Sequence, residues 1–361
     1  MMNVGIVTII DNDNYGNRLQ NYALQTYINN EFDIQTTTLI NDGFSNDKKF
    51  YFFRLVKNKI VGKKYKVINN IDRKNNFDKF NQYIKFSLEK VNCFSNFSCF
   101  DCVIVGSDQV WNPNFRRLRD LDLLNNKTIR KRISYAASFG VNDISLNNRK
   151  KMYTSLQKFD AISVREAVGK KIINDMNIKN VEVLIDPTML LTADEWDKVS
   201  KKPTMLKDDK YILNYFLGNL SDERRNEINR VAKENNCEVI NILDKESPFY
   251  ECGPSEFLYL EKNAQLICTD SFHSSVFAIL FNRPFIVFDR EQNDIVSMNS
   301  RIETLIDMFK LENRKYNNQM ITRKNLEHDY TDAYKILYAE RTKSYNFLKK
   351  ALYKKEKKYG R

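Results

Sequence analysis

Leu266-Ile267-Cys268-Thr269-Asp270-Ser271-Phe272-His273-Ser274-Ser275-Val276-Phe277-Ala278-Ile279-Leu280 is the stretch that decides the fold class of this chain. A short apolar run of strand length passes through a polar turn into an apolar helical pattern, so a buried strand hands over directly to a helix N-terminus. Such a turn aims unpaired backbone N–H groups and the positive end of the helix dipole at whatever lies in front of it. It therefore suits an anion such as a phosphate or carboxylate without a glycine-rich loop. Ser271, Ser274 and Ser275 are the hydroxyls expected to share that anion. His273, one of only two histidines, adds a group that exchanges protons near neutral pH. A histidine that merely caps or braces the helix would leave the same sequence, so both roles stay open at this level.

Working outward, the same alternation of strand-like and helical runs fills most of the chain. Residues 4–10, 103–105, 133–137, 161–164 and 181–185 read as strands, and 17–29 and 166–176 as helices. A second series starts after Pro203: strands at 211–216, 238–242, 266–268 and 285–288, with a polar helix at 221–235. This pattern predicts parallel sheets covered by helices. The expectation is an α/β protein of two Rossmann-like domains facing each other across a cleft, residues 1–190 and 191–325. Residues 326–361 follow as a docked helix, centred on 332–352, with a basic tail.

With 361 residues and 42% hydrophobic composition, the chain can bury a core of two-domain size. It has no uninterrupted apolar run of about 18 residues, and Met1 to Val7 enter the first strand without a cationic leader, so a cytoplasmic protein is expected. The six cysteines read as reduced thiols. Cys99 and Cys102 have CxxC spacing, but a zinc site would want a second pair and a redox motif would want its pair opening a helix. Both read as structural. The net charge of +12 is concentrated in residues 46–90, with 13 Lys or Arg against 4 acids, and in 341–361, with 9 against 1. No reading module for nucleic acid accompanies it, so no nucleic-acid partner is expected. Lys48-Lys49-Phe50-Tyr51-Phe52-Phe53-Arg54 interleaves cations with aromatics. That mixture suits an anionic membrane surface or a lipid-linked substrate, or a helix that lays its aromatic face on the core.

Three strand ends carry the remaining chemistry. Asp11-Asn12-Asp13-Asn14-Tyr15-Gly16-Asn17-Arg18 follows the first strand with a single glycine, which disfavours a dinucleotide fingerprint. Its amides, carboxylates and Arg18 suit a sugar or a small anion, with Asn14, Asn17 and Arg18 as candidates, although Asn and Asp also make turns and caps. Val103-Ile104-Val105-Gly106-Ser107-Asp108-Gln109-Val110-Trp111-Asn112 puts Ser107, Asp108 and Gln109 at a carboxyl edge, where open α/β sheets hold their ligands. Asp108 is the base candidate for a sugar hydroxyl, or a helix cap. Ala161-Ile162-Ser163-Val164-Arg165-Glu166 supplies Arg165, whose guanidinium forks onto a carboxylate or phosphate, or pairs with Glu166. Leu184-Ile185-Asp186-Pro187-Thr188 reads mainly as a boundary turn.

In their order and spacing these segments resemble the polysaccharide pyruvyl transferase family. The resemblance rests on Gly16-Asn17-Arg18-Leu19-Gln20, Gly106 to Asn112, Ser134-Tyr135-Ala136-Ala137-Ser138-Phe139-Gly140, Ile162 to Glu166, Asp186-Pro187-Thr188 and Ser271-Phe272-His273-Ser274. The basic segment 46–90 and the C-terminal tail depart from it. The resemblance implies a fold similar to GT-B glycosyltransferases, with the first domain on the acceptor side and the second on the donor side. It also implies phosphoenolpyruvate as donor and a sugar of a surface polysaccharide precursor as acceptor, joined in a pyruvate ketal. No cofactor or metal is expected. On this scheme His273 is the acid that protonates the donor methylene, Arg165 binds the donor and Asp108 is the base. The rivals are a nucleotide-sugar glycosyltransferase of the same fold and a non-catalytic peripheral membrane protein. A lipid-linked acceptor would bring the enzyme to the inner face of the cell membrane.

Overall fold

The computed structural model describes residues 2–41, 68–116, 118–290 and 299–354. Residues 46–67 of the basic aromatic segment, with all of Lys48 to Arg54, and the last seven residues lie outside them.

Cys102-Val103-Ile104-Val105 is buried at every position, as a strand covered on both faces must be. It is the third strand, β3, of a six-stranded sheet with β1 (Asn3–Val7), β2 (Gln35–Thr38), β4 (Arg132–Ala137), β5 (Ala161–Val164) and β6 (Val181–Val183). The order is β2-β1-β3-β4-β5-β6, and every pairing is parallel. The second sheet holds β7 (Tyr211–Tyr215), β8 (Glu238–Asn241), β9 (Leu266–Thr269) and β10 (Phe285–Val287) in the order β10-β9-β7-β8, again parallel. Two doubly wound α/β halves are therefore present, as the alternation predicts.

Local chemistry explains where the elements depart from the sequence reading. The first helix spans Tyr15–Phe32 and starts before Asn17, because Asn14 caps it and accepts the Asn17 N–H at 3.1 Å. β2 was not expected at all: Gln35-Thr36-Thr37-Thr38 has no apolar residue, yet it forms the sheet edge. Its buried Thr38 hydroxyl satisfies the side chains of Asn21 (2.8 Å) and Gln25 (3.3 Å). By contrast, the helix Asp222–Glu234 sits between Ser221 and Asn235, the residues that its capping signals mark.

One hydrophobic cluster runs through both halves, from Val4, Leu19 and Ile104 to Leu213, Ile267 and Phe277. At the seam, Tyr15 stacks between Phe77 (5.2 Å) and Phe257 (4.5 Å) and donates its hydroxyl to the Cys252 carbonyl at 2.7 Å. Arg73, on the helix Ile68–Asn81, ties Asp13 of the first half to the carbonyls of Tyr250 and Cys252 in the second. The last helix, Thr331–Tyr353, crosses the same seam. Tyr334 near its start bonds the Ile279 carbonyl, while Lys343 reaches Val183 and Tyr353 reaches Phe32. No described helix is long and apolar enough to cross a membrane.

Candidate active site

Each sheet reverses its strand order once, between β1 and β3 and between β7 and β9. Open α/β sheets bind their ligands in the crevice beyond such switch points. The two crevices face each other closely: a Cβ on Gly16, just after β1, would lie 2.0 Å from His273 Nδ1, just after β9. Glycine is needed at position 16 so that the imidazole can pack on the first helical turn.

Asp186 stands at the centre of this cleft. It follows β6 and caps the short turn Pro187–Met189, where Oδ1 accepts the Thr188 N–H (3.0 Å) and hydroxyl (2.7 Å). Its other oxygen, Oδ2, accepts from Arg165 Nη1 at 2.5 Å, lies 3.0 Å from Ser107 Oγ and 3.8 Å from His273 Nε2. Burial raises the carboxyl's pKa, but Arg165, His273 and the Thr188 N–H more than offset this and hold it well below the usual carboxylate range. Reading Asp186 as mainly a boundary turn thus requires correction, since it anchors the cleft as well as the turn.

Arg165 is 3% exposed and has its guanidinium over the Phe272 ring, 4.8 Å from the centroid. Nη2 is 3.6 Å from Asp108 Oδ1, beyond hydrogen-bond range, and Nε and Nη2 have no hydrogen-bond partner among the described residues. The pairing with Glu166 that the sequence allows is not made as a hydrogen bond. Glu166 Oε1 instead accepts the Ser138 hydroxyl and the N–H groups of Phe139 and Gly140.

Asp108 adopts the left-handed region (φ 63°) beyond β3, a conformation that Asp tolerates better than most residues. Its Oδ2 accepts from Asn17 Nδ2 at 2.9 Å and its Oδ1 from the Gln109 N–H at 2.8 Å. Burial pushes its pKa up, but Arg165, His273, Asn17 and Arg301 lower it below the ordinary value. The Asn17 amide is itself oriented: its oxygen accepts from the Asp11 N–H (2.7 Å) and from Arg18 Nε and Nη2 (3.2 and 2.8 Å), which leaves its nitrogen for Asp108. Arg18 is fully buried, also bonds the Ile9 carbonyl, and is brought down to about 10 by burial.

The candidate residues therefore divide. His273, Arg165, Asp108, Ser107 and Asn17 converge on one place, with Gln109 beside them. Asn14 acts as a helix cap and Arg18 as a brace behind Asn17. Ser271 is the N-cap residue of the helix Phe272–Leu280. Ser274 and Ser275 have their hydroxyls bonded to Glu261 Oε1 (2.6 Å) and to the Ser271 carbonyl (3.0 Å). Asp270, just ahead, accepts the Leu217 and Gly218 N–H groups at 2.7 and 2.8 Å and pairs with Arg290 at 3.2 Å.

Two arginines escaped the sequence reading. Arg290 follows β10, and Arg301 opens the helix Asn299–Phe309. Arg301 is in phase with the buried Leu305 and Phe309, and a cation on a core stripe was the available signal. Among the described residues no group of three or more His, Cys, Asp or Glu side chains is arranged to hold a metal ion.

Fold and site together define a two-half α/β protein with a cleft where its strand ends meet, lined by buried charged side chains. The chain belongs to the polysaccharide pyruvyl transferase family, a family of transferases, whose profile, described as Polysaccharide pyruvyl transferase, matches residues 14–292. Among curated proteins, none matches it by sequence. Solved structures similar to it include a putative UDP-N-acetylglucosamine 2-epimerase from Listeria monocytogenes, at 11% identity over 100% of this chain and 93% of that one (TM-score 0.48). The UDP-GlcNAc 2-epimerase of Neisseria meningitidis is 12% identical over 97% and 100% (TM-score 0.46). MurG of Acinetobacter baumannii is 10% identical over 96% and 95% (TM-score 0.40).

Proposed function

We propose that the protein transfers the pyruvyl group of phosphoenolpyruvate to two hydroxyls of a sugar in a surface polysaccharide precursor, forming a cyclic ketal and releasing phosphate. The observation that carries this reading is the meeting of His273 with Arg165 and Asp108 around Asp186, from four strand ends on two halves. Arg165 and the first-turn N–H groups of the helix Phe272–Leu280 meet the donor's anionic groups. His273 gives a proton to the methylene carbon, which becomes the ketal methyl, and positive charge develops on the neighbouring carbon. A sugar hydroxyl attacks that carbon. Asp108, held ionised, stabilises the charge and takes the hydroxyl proton, which becomes strongly acidic as the C–O bond forms. The second hydroxyl then displaces phosphate and closes the ring, and its proton leaves with the phosphate.

The nucleotide-sugar glycosyltransferase is the weaker reading. A diphosphate at the second half's switch point would want the backbone N–H groups beyond β7, but Leu217 and Gly218 already give theirs to the Asp270 carboxylate. A lipid-linked acceptor and a peripheral membrane location form part of the proposal; binding to anionic vesicles at low salt checks them.

The test is phosphate release from phosphoenolpyruvate across a panel of sugar acceptors. Acceptor-dependent release by the wild type that falls at least about 100-fold in His273→Ala supports the assignment. Undiminished release by the variant removes His273 from the chemistry, and absence of donor binding by the wild type removes the reaction.

A further inference from the structure

Glu166 stands where an acid ordinarily caps its own helix, and it does not do so. It is the N-cap residue of the helix Ala167–Asn174, yet its side chain makes no capping hydrogen bond, although a negative charge is favoured at that position. The residue is 1% exposed, and its side chain turns instead to the loop beyond β4. Oε1 accepts the Ser138 hydroxyl at 3.0 Å and the N–H groups of Phe139 and Gly140 at 2.7 and 3.2 Å. Three donors on one buried carboxylate oxygen hold that loop more firmly than neutral bonds do.

The other side of the loop faces the turn that carries Asp108. The Ser138 N–H bonds the Asp108 carbonyl at 2.9 Å, and the Ser138 carbonyl accepts the Trp111 N–H at 3.2 Å. The stretch from Asp108 to Trp111 is therefore bonded at both ends to the residue whose hydroxyl Glu166 holds. Side chains close the same contact. The Phe139 ring lies edge-on to Trp111 at 5.6 Å, and a Cβ on Gly140 would come within 2.5 Å of the Gln109 side chain. Asp108 needs such support, because a non-glycine residue at φ 63° keeps that conformation only where its surroundings impose it. Asn17 fixes the Asp108 side chain, and the 138–140 loop fixes its backbone.

We propose that Glu166 is a positioning residue for Asp108, acting through the Ser138–Gly140 loop to hold the base against the acceptor hydroxyl. This rests on Asp108 being the base of the reaction proposed above. Glu166 has no contact with the substrates in that scheme, and its charge works against an anionic donor, since it attracts both Arg165 and Arg301. Neutralising it therefore acts in two directions. The chemical step slows, while the donor binds no less tightly.

The test is a double-mutant cycle on the full-length protein with Glu166→Gln and Asp108→Asn. It is read as kcat for acceptor-dependent phosphate release and, separately, as phosphoenolpyruvate affinity by calorimetry, with thermal melts to establish that each variant is folded. Glu166→Gln is expected to lower kcat about 10- to 100-fold, as slight misplacement of a catalytic group does, with phosphoenolpyruvate bound as tightly as by wild type or tighter. In the Asp108→Asn background the same change is expected to cost less than about 3-fold, because a positioning effect disappears with the group it positions. Ser138→Ala removes one of the three donors and keeps the buried charge. It is expected to lower kcat about 3- to 10-fold, and it carries the cycle if Glu166→Gln does not fold. Additive losses in the cycle, or weakened phosphoenolpyruvate binding by folded Glu166→Gln, overturn the inference, since the loop would then support the whole site. Undiminished release by Asp108→Asn instead removes Asp108 from the chemistry, and with it the reading on which the inference rests.

Discussion

At the scale of single residues, the cleft depends on one missing side chain and one well-placed acid. Gly16 leaves the space in which the His273 ring lies. A methyl group there would sit 2.0 Å from Nδ1 and 2.4 Å from Cγ, distances that no side-chain relaxation absorbs without turning the ring. Gly16→Ala is therefore expected to fold, since alanine suits a helix, but to cut acceptor-dependent phosphate release at least about 10-fold by misplacing the imidazole. Steady-state assays alongside a melting curve check this, and full activity would show that the ring position is unimportant. Asp186 works in the opposite sense, by being present. Its depressed pKa means that its ionised form stabilises the fold above the unfolded carboxyl value of about 3.9. That contribution is lost only as pH falls below that value, through the folded one.

At the scale of elements, the helices Pro254–Asn263 and Phe272–Leu280 pack around a buried acid that the site does not use. Glu261 accepts the Ser274 hydroxyl at 2.6 Å through one oxygen, while the other has no hydrogen-bond partner among the described residues. Burial raises its pKa well above the ordinary value. Below the unfolded value of about 4.3 the protonated group costs nothing. As pH rises from there towards the folded value, folding must suppress an ionisation that the unfolded chain enjoys, and stability falls. Glu261→Gln keeps an acceptor for Ser274 and removes that ionisation. The variant is expected to be more stable at pH 8 by at least about 1 kcal/mol and to show a flatter stability profile between pH 5 and pH 8. Urea titrations across that range decide it, and an unchanged slope would mean that Glu261 is hydrated.

At the scale of the whole molecule, the two halves share one apolar core and a polar latch, so they should not unfold separately. A single calorimetric transition is expected, with van't Hoff and calorimetric enthalpies in agreement; two resolved transitions would show that the seam is loose. Arg73 is the latch. It is 3% exposed, pairs with Asp13, bonds the Tyr250 and Cys252 carbonyls and lies over the rings of Tyr15 and Phe77. Arg73→Ala leaves the Tyr250 carbonyl buried without its cation, while Asp13 is exposed and the Cys252 carbonyl keeps the Tyr15 hydroxyl, and is expected to cost roughly 1–3 kcal/mol, read as a lower denaturant midpoint. If the loss loosens the seam, the transition also broadens, because the cleft lies between the halves that Arg73 joins.

The sequence by itself determined the two parallel sheets, because strands buried on both faces must be continuously apolar and their crossover helices must carry a longer period. It also marked Asp108, Arg165 and His273, since polar residues that end apolar strands have little to do in a core. It concealed β2, whose threonines are satisfied by side chains from the first helix. The tertiary structure alone decided that Asp186 joins Arg165 to His273, that Asn14 caps a helix, and that the Ser274 hydroxyl bonds Glu261. Periodicity records which face of an element is buried. It carries no information about which carboxyl edge lies opposite which, and that is fixed by how the shared core docks one sheet against the other.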